Sequence, residues 1–404
     1  MPDETRTVYM DYAATTPVKE EVLDAMLPYL KYNYGNPSSL YGPGFVAKEA
    51  MDKARAQVAG LINAEPREIF FTSCGSESDN WVLEACAEKY KAKGNHIITT
   101  AIEHHAVLTT CEWLEKNGCE VTYLHVDKEG RIDLEELKAA IRPTTVLCSI
   151  MTANNEVGTI EPIKEAAAIC KAAGVLFHTD AVQAAGNIPI DVKDLGVDFL
   201  SMSAHKIYAP KGIGALYVRK GIVLPSFIHG GGQESKRRAG TEAVASIVAF
   251  GKAAELAKNN LEAHMKKTAE LRDYFLSEVL EKIPYVEVNG SLEHRLPGNI
   301  NLIFNYAEGE NIMGHLDVAG VYVSTGSACN SSDFVPSHVL EAMGLPYEKM
   351  YSSVRFTIGD FTTKEDIDYV VKELVRIVGE IRAISPFRPG NEMVTQQIIR
   401  PKKH

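Results

Sequence analysis

The sequence predicts an α/β protein: a mostly parallel, seven-stranded sheet sandwiched by helices, followed by a smaller α+β unit. Three observations carry this expectation. Between about residues 68 and 220, short runs rich in β-branched and aromatic residues alternate with amphipathic helical patterns, and that alternation points to a parallel sheet with helices on its faces. At 404 residues the chain is longer than one small core organises, so two units are expected. A helical stretch from roughly residue 243 to 280, laced with Glu and Lys, then separates the first strands from a second group.

Taken in order, the strand-forming runs are EIFFTS, HIITT, EVTYLHV, TTVLCSI, VLFHTD, VDFLSM and GALYVRK. Helical patterns such as DLEELKAAI and IKEAAAICKAAG lie between them, with Leu134, Leu137 and Ile141 recurring at helical spacing. Beyond the long helix, YVEVNG, NINLIF and VYVST predict further strands, and residues 364–383 predict a closing helix. The tail after Ser385 has no periodicity and is expected to be flexible or to face a partner.

Composition narrows the function classes. A formal charge of -11 argues against nucleic acid and anionic membrane as partners, because phosphate binding needs basic surface. The start, MPDETRTVYM, lacks the basic and apolar blocks of a signal peptide, and no apolar run is long enough to cross a bilayer. A cytoplasmic protein is expected. Seven cysteines, an odd number without a CxxC pair, argue against a disulfide framework. Cys86, Cys148 and Cys170 have apolar surroundings and are expected to pack. Cys111, near His104 and His105, lacks a second ligand pair, and no metal is expected.

Chemistry gathers at strand ends, where ligands bind in such folds. EIFFTS runs into Cys74-Gly75-Ser76, just before a helical pattern. Ser76 and Asp79 have the spacing of a helix cap, and a glycine at a helix start suits a phosphate. HIITT leads to His104, TTVLCSI to Asn154-Asn155-Glu156, VLFHTD to Asp180 and Gln183, and VDFLSM to Ser203, His205 and Lys206. Each residue alone has a bland explanation; together on one sheet edge they match the needs of pyridoxal 5'-phosphate. That cofactor requires a lysine, an acidic partner for its ring nitrogen and a phosphate cup. The nicotinamide and nucleotide rivals lack their glycine motifs: no GxGxxG follows an early strand, HGGGQES at His229 comes too late, and no GxxxxGK[ST] occurs.

These residues also carry a resemblance. DYAATTPV at Asp11, YGNPSS at Tyr34, FTSCGSESDN at Phe71, EHHAVL at Glu103, ANNEVGTI at Ala153 and HTDAVQ at His178 follow one another in order. SAHKIYAPKGIGALYVRKG at Ser203, HGGGQES…RAGT at His229, STGSACNSS at Ser324 and SSVRFTIG at Ser352 complete the series. Over nearly its whole length the chain resembles the cysteine desulfurases of the IscS/NifS type, class V enzymes of fold-type I that use pyridoxal phosphate. The resemblance implies a large cofactor-binding domain over 15–262, and a small domain from 1–14 and 263–404 with a mobile cysteine loop and the tail. It implies that Lys206 carries the cofactor and moves the substrate's α-proton, and that His104 stacks on the ring and assists. Asp180 pairs with the ring nitrogen and Gln183 with the phenolic oxygen. Gly75, Ser76, Ser203 and His205 hold the phosphate, with Thr241 contributed by the second subunit of a homodimer. Asn155 and Arg355 grip the substrate carboxylate. Cys329, set among small polar residues, is the nucleophile that takes sulfur from L-cysteine, releases L-alanine and hands its persulfide to an iron–sulfur scaffold or another acceptor protein.

Three departures from the family pattern leave these groups intact. Ala209 replaces a common glycine, Asn330 follows the cysteine, and LYGPG at Leu40 lacks a frequent histidine. The segment from Cys329 to Pro336 has the long form, which favours delivery to a scaffold. The rivals are another enzyme of the class, such as a selenocysteine lyase or an aminotransferase, and a non-catalytic assembly protein. Intact Lys206, Asp180, His104, Cys329 and Arg355 speak against the last.

Overall fold

The computed structural model describes residues 6–325 and 336–386. Among them the strands are β1 (Val8–Tyr9), β2 (Ile69–Thr72), β3 (His96–Thr100), β4 (Glu120–Leu124), β5 (Thr145–Ser149) and β6 (Leu176–Asp180). The series continues with β7 (Phe199–Ser203), β8 (Gly214–Val218), β9 (Val286–Val288), β10 (Asn299–Phe304), β11 (Val321–Tyr322) and β12 (Ser353–Thr357). The seven runs expected between residues 68 and 220 form one seven-stranded sheet in the order β2-β8-β7-β6-β5-β3-β4. The inner pairings are parallel, while β8 runs antiparallel to both β7 and β2. β2, β3, β5, β7 and β8 are buried along their whole length, as strands covered by helices on both faces must be.

Because β8 is antiparallel to its two neighbours, β2 points the same way as β7. Thr72 and Ser203 therefore flank Gly214 on one edge. That edge collects the carboxyl ends of β2, β3, β5, β6 and β7. Two apolar layers lie against the sheet. One includes Phe71, Ile98, Phe177 and Phe250, and the other Trp81, Ile97, Val107 and Phe199.

A separate core fills a three-stranded antiparallel sheet of order β12-β10-β9, with β1 paired in parallel to β11. Phe304, Phe356, Leu374 and Ile377 pack there. The helix Val244–Lys282 serves both cores, giving Phe250 and Ala253 to the first and Phe275 and Val279 to the second. Near its start it crosses the helix Gly42–Leu61 so closely that a Cβ on Gly251 would lie 2.6 Å from Ala54 Cα. Glycine is the residue that permits this approach.

β12 lies within SSVRFTIG, a segment singled out for Arg355 rather than for strand periodicity. Its antiparallel pairing with β10 sets Arg355 opposite Asn301. A small bridging cluster of Ile102, Met151, Val157, Val339, Leu340 and Met343 ties the helix His338–Ala342 to the loops after β3 and β5.

Candidate active site

Residues 13–16 run across the sheet edge and act as its template. Lys206 ends a short 3-10 turn that follows β7, and its Nζ donates to the carbonyls of Ala13 and Ala14. Gln183 Nε2 donates to the same Ala13 carbonyl at 3.0 Å. Thr16 Oγ1 in turn accepts from Tyr208 N and donates to the His205 carbonyl. One short segment, turned at residues 12–14 by the Ala14 N–H to Asp11 carbonyl bond, thus fixes the ammonium of Lys206 beside the amide of Gln183.

Asp180 closes β6. Its Oδ1 accepts from Val182 N at 2.8 Å, and Oδ2 has no hydrogen-bond partner among the described residues. Burial raises this carboxyl to about 6, while the Val182 N–H and the charge of Lys206 work in the opposite direction. A buried carboxylate with an open oxygen is suited to a cationic N–H.

The helix Gly75–Lys89 starts at the end of β2. Ser76 does not cap it, contrary to the spacing argument. Cys74 occupies the cap position in extended conformation and supplies no side-chain hydrogen bond. Ser76 lies inside the first turn, so the first N–H groups have no side-chain acceptor of their own. A Cβ on Gly75 would meet Val182 Cγ2 at 2.7 Å and Ser203 Cβ at 3.7 Å. Ser203 Oγ is buried without a partner, and His205 Nδ1 reaches Thr15 Oγ1 at 3.2 Å. An uncapped helix start, an orphaned hydroxyl and a glycine where no side chain fits make a cradle for an oxyanion. With Lys206 and Asp180 beside it, the donor set fits pyridoxal phosphate.

Thr241 is exposed and joins none of these groups within the chain. Its segment is nevertheless tied to the cradle. Arg238 Nε and Nη2 hold the two oxygens of Glu77 at 2.8 and 3.1 Å. Burial opposes ionisation of Glu77, yet Arg238 and Ser73 bring its carboxyl below the usual value. Arg237 lies over the Phe70 ring. Neither arginine had a role assigned from sequence, since a basic pair in a polar run reads equally well as solvated.

His104 caps the helix His105–Lys116, its Nδ1 accepting from Ala106 N at 3.1 Å. Burial first and the charge of Lys206 second hold it down to about 4. The ring is therefore neutral at physiological pH and carries its proton on Nε2. Asn154, not Asn155, makes the turn after β5, its Oδ1 accepting from Glu156 N and Val157 N. Asn155 is brought to Arg355, whose Nη1 donates to the Asn155 carbonyl at 2.9 Å and Nη2 to Asp11 Oδ1 at 2.8 Å. Arg355 Nε is buried without a partner.

Cys329 lies outside the described residues. Both flanks of its segment are anchored at the site. Ser324 exchanges backbone hydrogen bonds with Arg355 on one side. On the other, Ser337 donates to the Glu156 carboxylate and His338 Nε2 meets the Glu103 carbonyl at 2.9 Å. Cys86, Cys148 and Cys170 are core residues, as is Cys111, which packs with Val107 and Leu114. Among the described residues no three His, Cys, Asp or Glu side chains gather in a metal-holding arrangement, and no helix is long and apolar enough to cross a membrane.

Known proteins resemble the chain over nearly its whole length. The family model described as Aminotransferase class-V matches residues 8–370. The cysteine desulfurase IscS of Dictyoglomus turgidum is 53% identical over 383 residues, covering 95% of this chain and 97% of its own. That of Methanosarcina thermophila is 52% identical over 386 residues, covering 96% and 95%. Among solved structures, a NifS-like protein superposes with a TM-score of 0.88 at 39% identity, over 93% of this chain and all of its own. The NifS-like protein of Rickettsia africae does so with a TM-score of 0.84 at 31% identity, over 93% and 100%.

Proposed function

The chain belongs to the class-V aminotransferase family and is a pyridoxal-phosphate-dependent cysteine desulfurase, and from that premise we propose that the strand-end site takes sulfur from L-cysteine and leaves it as a persulfide on Cys329. Bound through Lys206, pyridoxal phosphate supplies an electron sink that acidifies the Cα–H of an amino acid. Gly75, Ser76, Ser203 and His205 would hold its phosphate, joined by Thr241 from a second copy of the chain. Asp180 would pair with its ring nitrogen, Gln183 with its phenolic oxygen and the His104 ring would stack on it.

Arg355 and Asn155 hold the carboxylate of L-cysteine, a task suited to a planar guanidinium. Lys206 Nζ, kept in place by the Ala13 and Ala14 carbonyls, takes the Cα proton. His104 Nε2 is the ring nitrogen with a proton to pass, because Nδ1 is committed to Ala106 N–H. The Cys329 thiolate attacks the substrate sulfur. The S–S bond forms as the C–S bond breaks, its electron pair stays with carbon, and protonation yields L-alanine. No outside oxidant is needed.

The observation that carries this reading is the Ala13 carbonyl, which accepts from both Lys206 Nζ and Gln183 Nε2 beside the open oxygen of Asp180. The same reading extends to several finer points. The exposure of Thr241, on a segment clamped to the cradle by Arg238 and Glu77, supports a homodimer in which each copy completes the other's phosphate site. The two separate cores support a large domain over 15–262 and a small one from 1–14 and 263–404. An iron–sulfur scaffold or other sulfur-acceptor protein is the proposed recipient, and a cytoplasmic location accords with the free state of the six described cysteines.

Intact-protein mass after brief incubation with L-cysteine, without reductant, tests the reading. The wild type is expected to gain one sulfur and release alanine, and Cys329→Ala to gain none. Alanine without added sulfur on the wild type would instead mark direct sulfide release and remove the assigned role of Cys329.

A further inference from the structure

Behind Asp180 lies a buried polar row that the chemistry above does not use. Residues two apart on a strand share a face, so His178 stands on the same side of β6 as Asp180. Across the parallel pairings, Ser149 of β5 is level with His178, and Ser201 of β7 is level with Asp180. His178 spans the row, with Nδ1 2.8 Å from Ser149 Oγ and Nε2 3.0 Å from Ser201 Oγ. Asp79, from the helix Gly75–Lys89, meets it from the layer above, its Oδ1 3.6 Å from His178 Nε2. His178 is fully buried and Asp79 is 1% exposed, yet Asp79 Oδ1 has no hydrogen-bond partner. An orphaned carboxyl oxygen this deep is costly to retain, and an apolar residue of similar size would remove the cost.

We propose that Asp79 is a positioning residue for Asp180, a neutral acid braced by His178 and Ser201 that leaves Asp180 as the single anion facing a protonated ring nitrogen. The inference rests on the assignment of Asp180 made above. Two carboxylates in one poorly solvated pocket do not both ionise without compensation, and one keeps its proton. Burial first and the charge of Asp180 second push Asp79 well above the usual carboxylate range, and Glu103 and Cys74 add to this against a hydrogen bond from Ser201. Asp180 has Lys206 and the Val182 N–H in favour of its charged form, so the proton resides on Asp79. Burial holds His178 down to about 3, so its ring is neutral and donates from one nitrogen only. Gly75 and Asp79 also lie on one rigid helix, about 6 Å apart along its axis. That helix sets the spacing between the phosphate cradle and the ring anchor.

The test uses the purified holoenzyme with Asp79→Ala, Asp79→Asn and Asp180→Asn. The readouts are the Kd for pyridoxal phosphate, the pH midpoint of the bound cofactor's visible absorbance, and the Tm of each apo-protein. Asp79→Ala is expected to raise Kd about tenfold, or about 1.4 kcal/mol, and to displace the absorbance midpoint. Asp79→Asn, which has the shape of the neutral acid, is expected to restore both. A wild-type Kd and midpoint in Asp79→Ala would overturn the positioning role. An Asp79→Asn as impaired as Asp79→Ala would overturn the neutral-acid role, and this variant decides alone if the alanine protein does not fold. If Asp180→Asn binds the cofactor with an unchanged spectrum, the assignment of Asp180 itself has failed. Loss in Asp180→Asn beside a silent Asp79→Ala sinks only the present inference.

Discussion

Arg355 divides its guanidinium between Asn155 on one sheet edge and Asp11 just before the template segment, with Nε left over. Arg355→Lys keeps the charge but loses the planar fork. The expected result is a KM for L-cysteine raised about tenfold with a much smaller change in kcat, since uniform binding is what the fork provides; an equal fall in kcat and kcat/KM would place Arg355 in the chemical step instead. Lys206, Asp180, His104 and Asn155 were legible in the sequence because each follows a predicted strand, and strand ends are where such folds put their chemistry. Asp79 and His178 were not. The histidine, inside a strand, reads as structural and the aspartate as half of a helix cap, and only the 3.6 Å approach between two layers gives them a joint meaning. Arg238 escaped for the same reason, since its partner Glu77 lies 161 residues away.

At the scale of elements, the seven-stranded sheet and the helix Val244–Lys282 were readable from periodicity alone. β12 was not, because a five-residue run with arginine at its centre lacks an apolar signature, and its burial comes from partners on distant segments. The start of the helix Gly75–Lys89 was misplaced because Ser76 and Asp79 mimic capping spacing, while the backbone turns at Cys74. The segment leading to Thr241 has its own fastening. Glu234, Ser235 and Lys236 all have positive φ, which strains residues with side chains. Arg55 pays for that geometry by gripping both Glu234 oxygens at 2.7 Å, while Phe71 N–H adds a third bond. Glu234→Ala leaves the half-buried Arg55 with the Ile69 carbonyl and the Phe71 ring but no carboxylate, and is expected to destabilise the protein by about 3 kcal/mol. Chemical denaturation should show a smaller loss for Glu234→Gln, which keeps the shape; equal losses would mean that the charge, not the fit, restrains the turn.

The whole molecule carries opposing groups of perturbed side chains. Glu103, Glu156 and Glu161 are raised, by burial first, to about 8, 7 and 8. Unfolded, they ionise near 4.5, so above that value the folded state holds extra protons and stability falls as pH rises through 8. His104, His178 and His205 are held down to about 4, 3 and 4, again by burial first. The unfolded chain takes up their protons below about 6.5, so stability also falls as pH drops from there toward 4. The Tm of the apo-protein is expected to decline between about pH 6.5 and 8.5, with Glu103→Gln flattening the decline, and scanning calorimetry that found a rise instead would contradict this. A different consequence follows from the template segment. Asp11 bonds Arg355 and Ala13 N–H bonds Thr357, both across 344 residues, while Val8 N–H waits for the Gly320 carbonyl. During synthesis the residues that fix Lys206 emerge well before partners that lie 344 residues further along the chain. The nascent chain can assemble its large sheet before the strand that carries Arg355 and Thr357 exists, yet it gains a competent site only once that strand has been made. The setting of Lys206 is thus completed by a segment made long after the lysine itself.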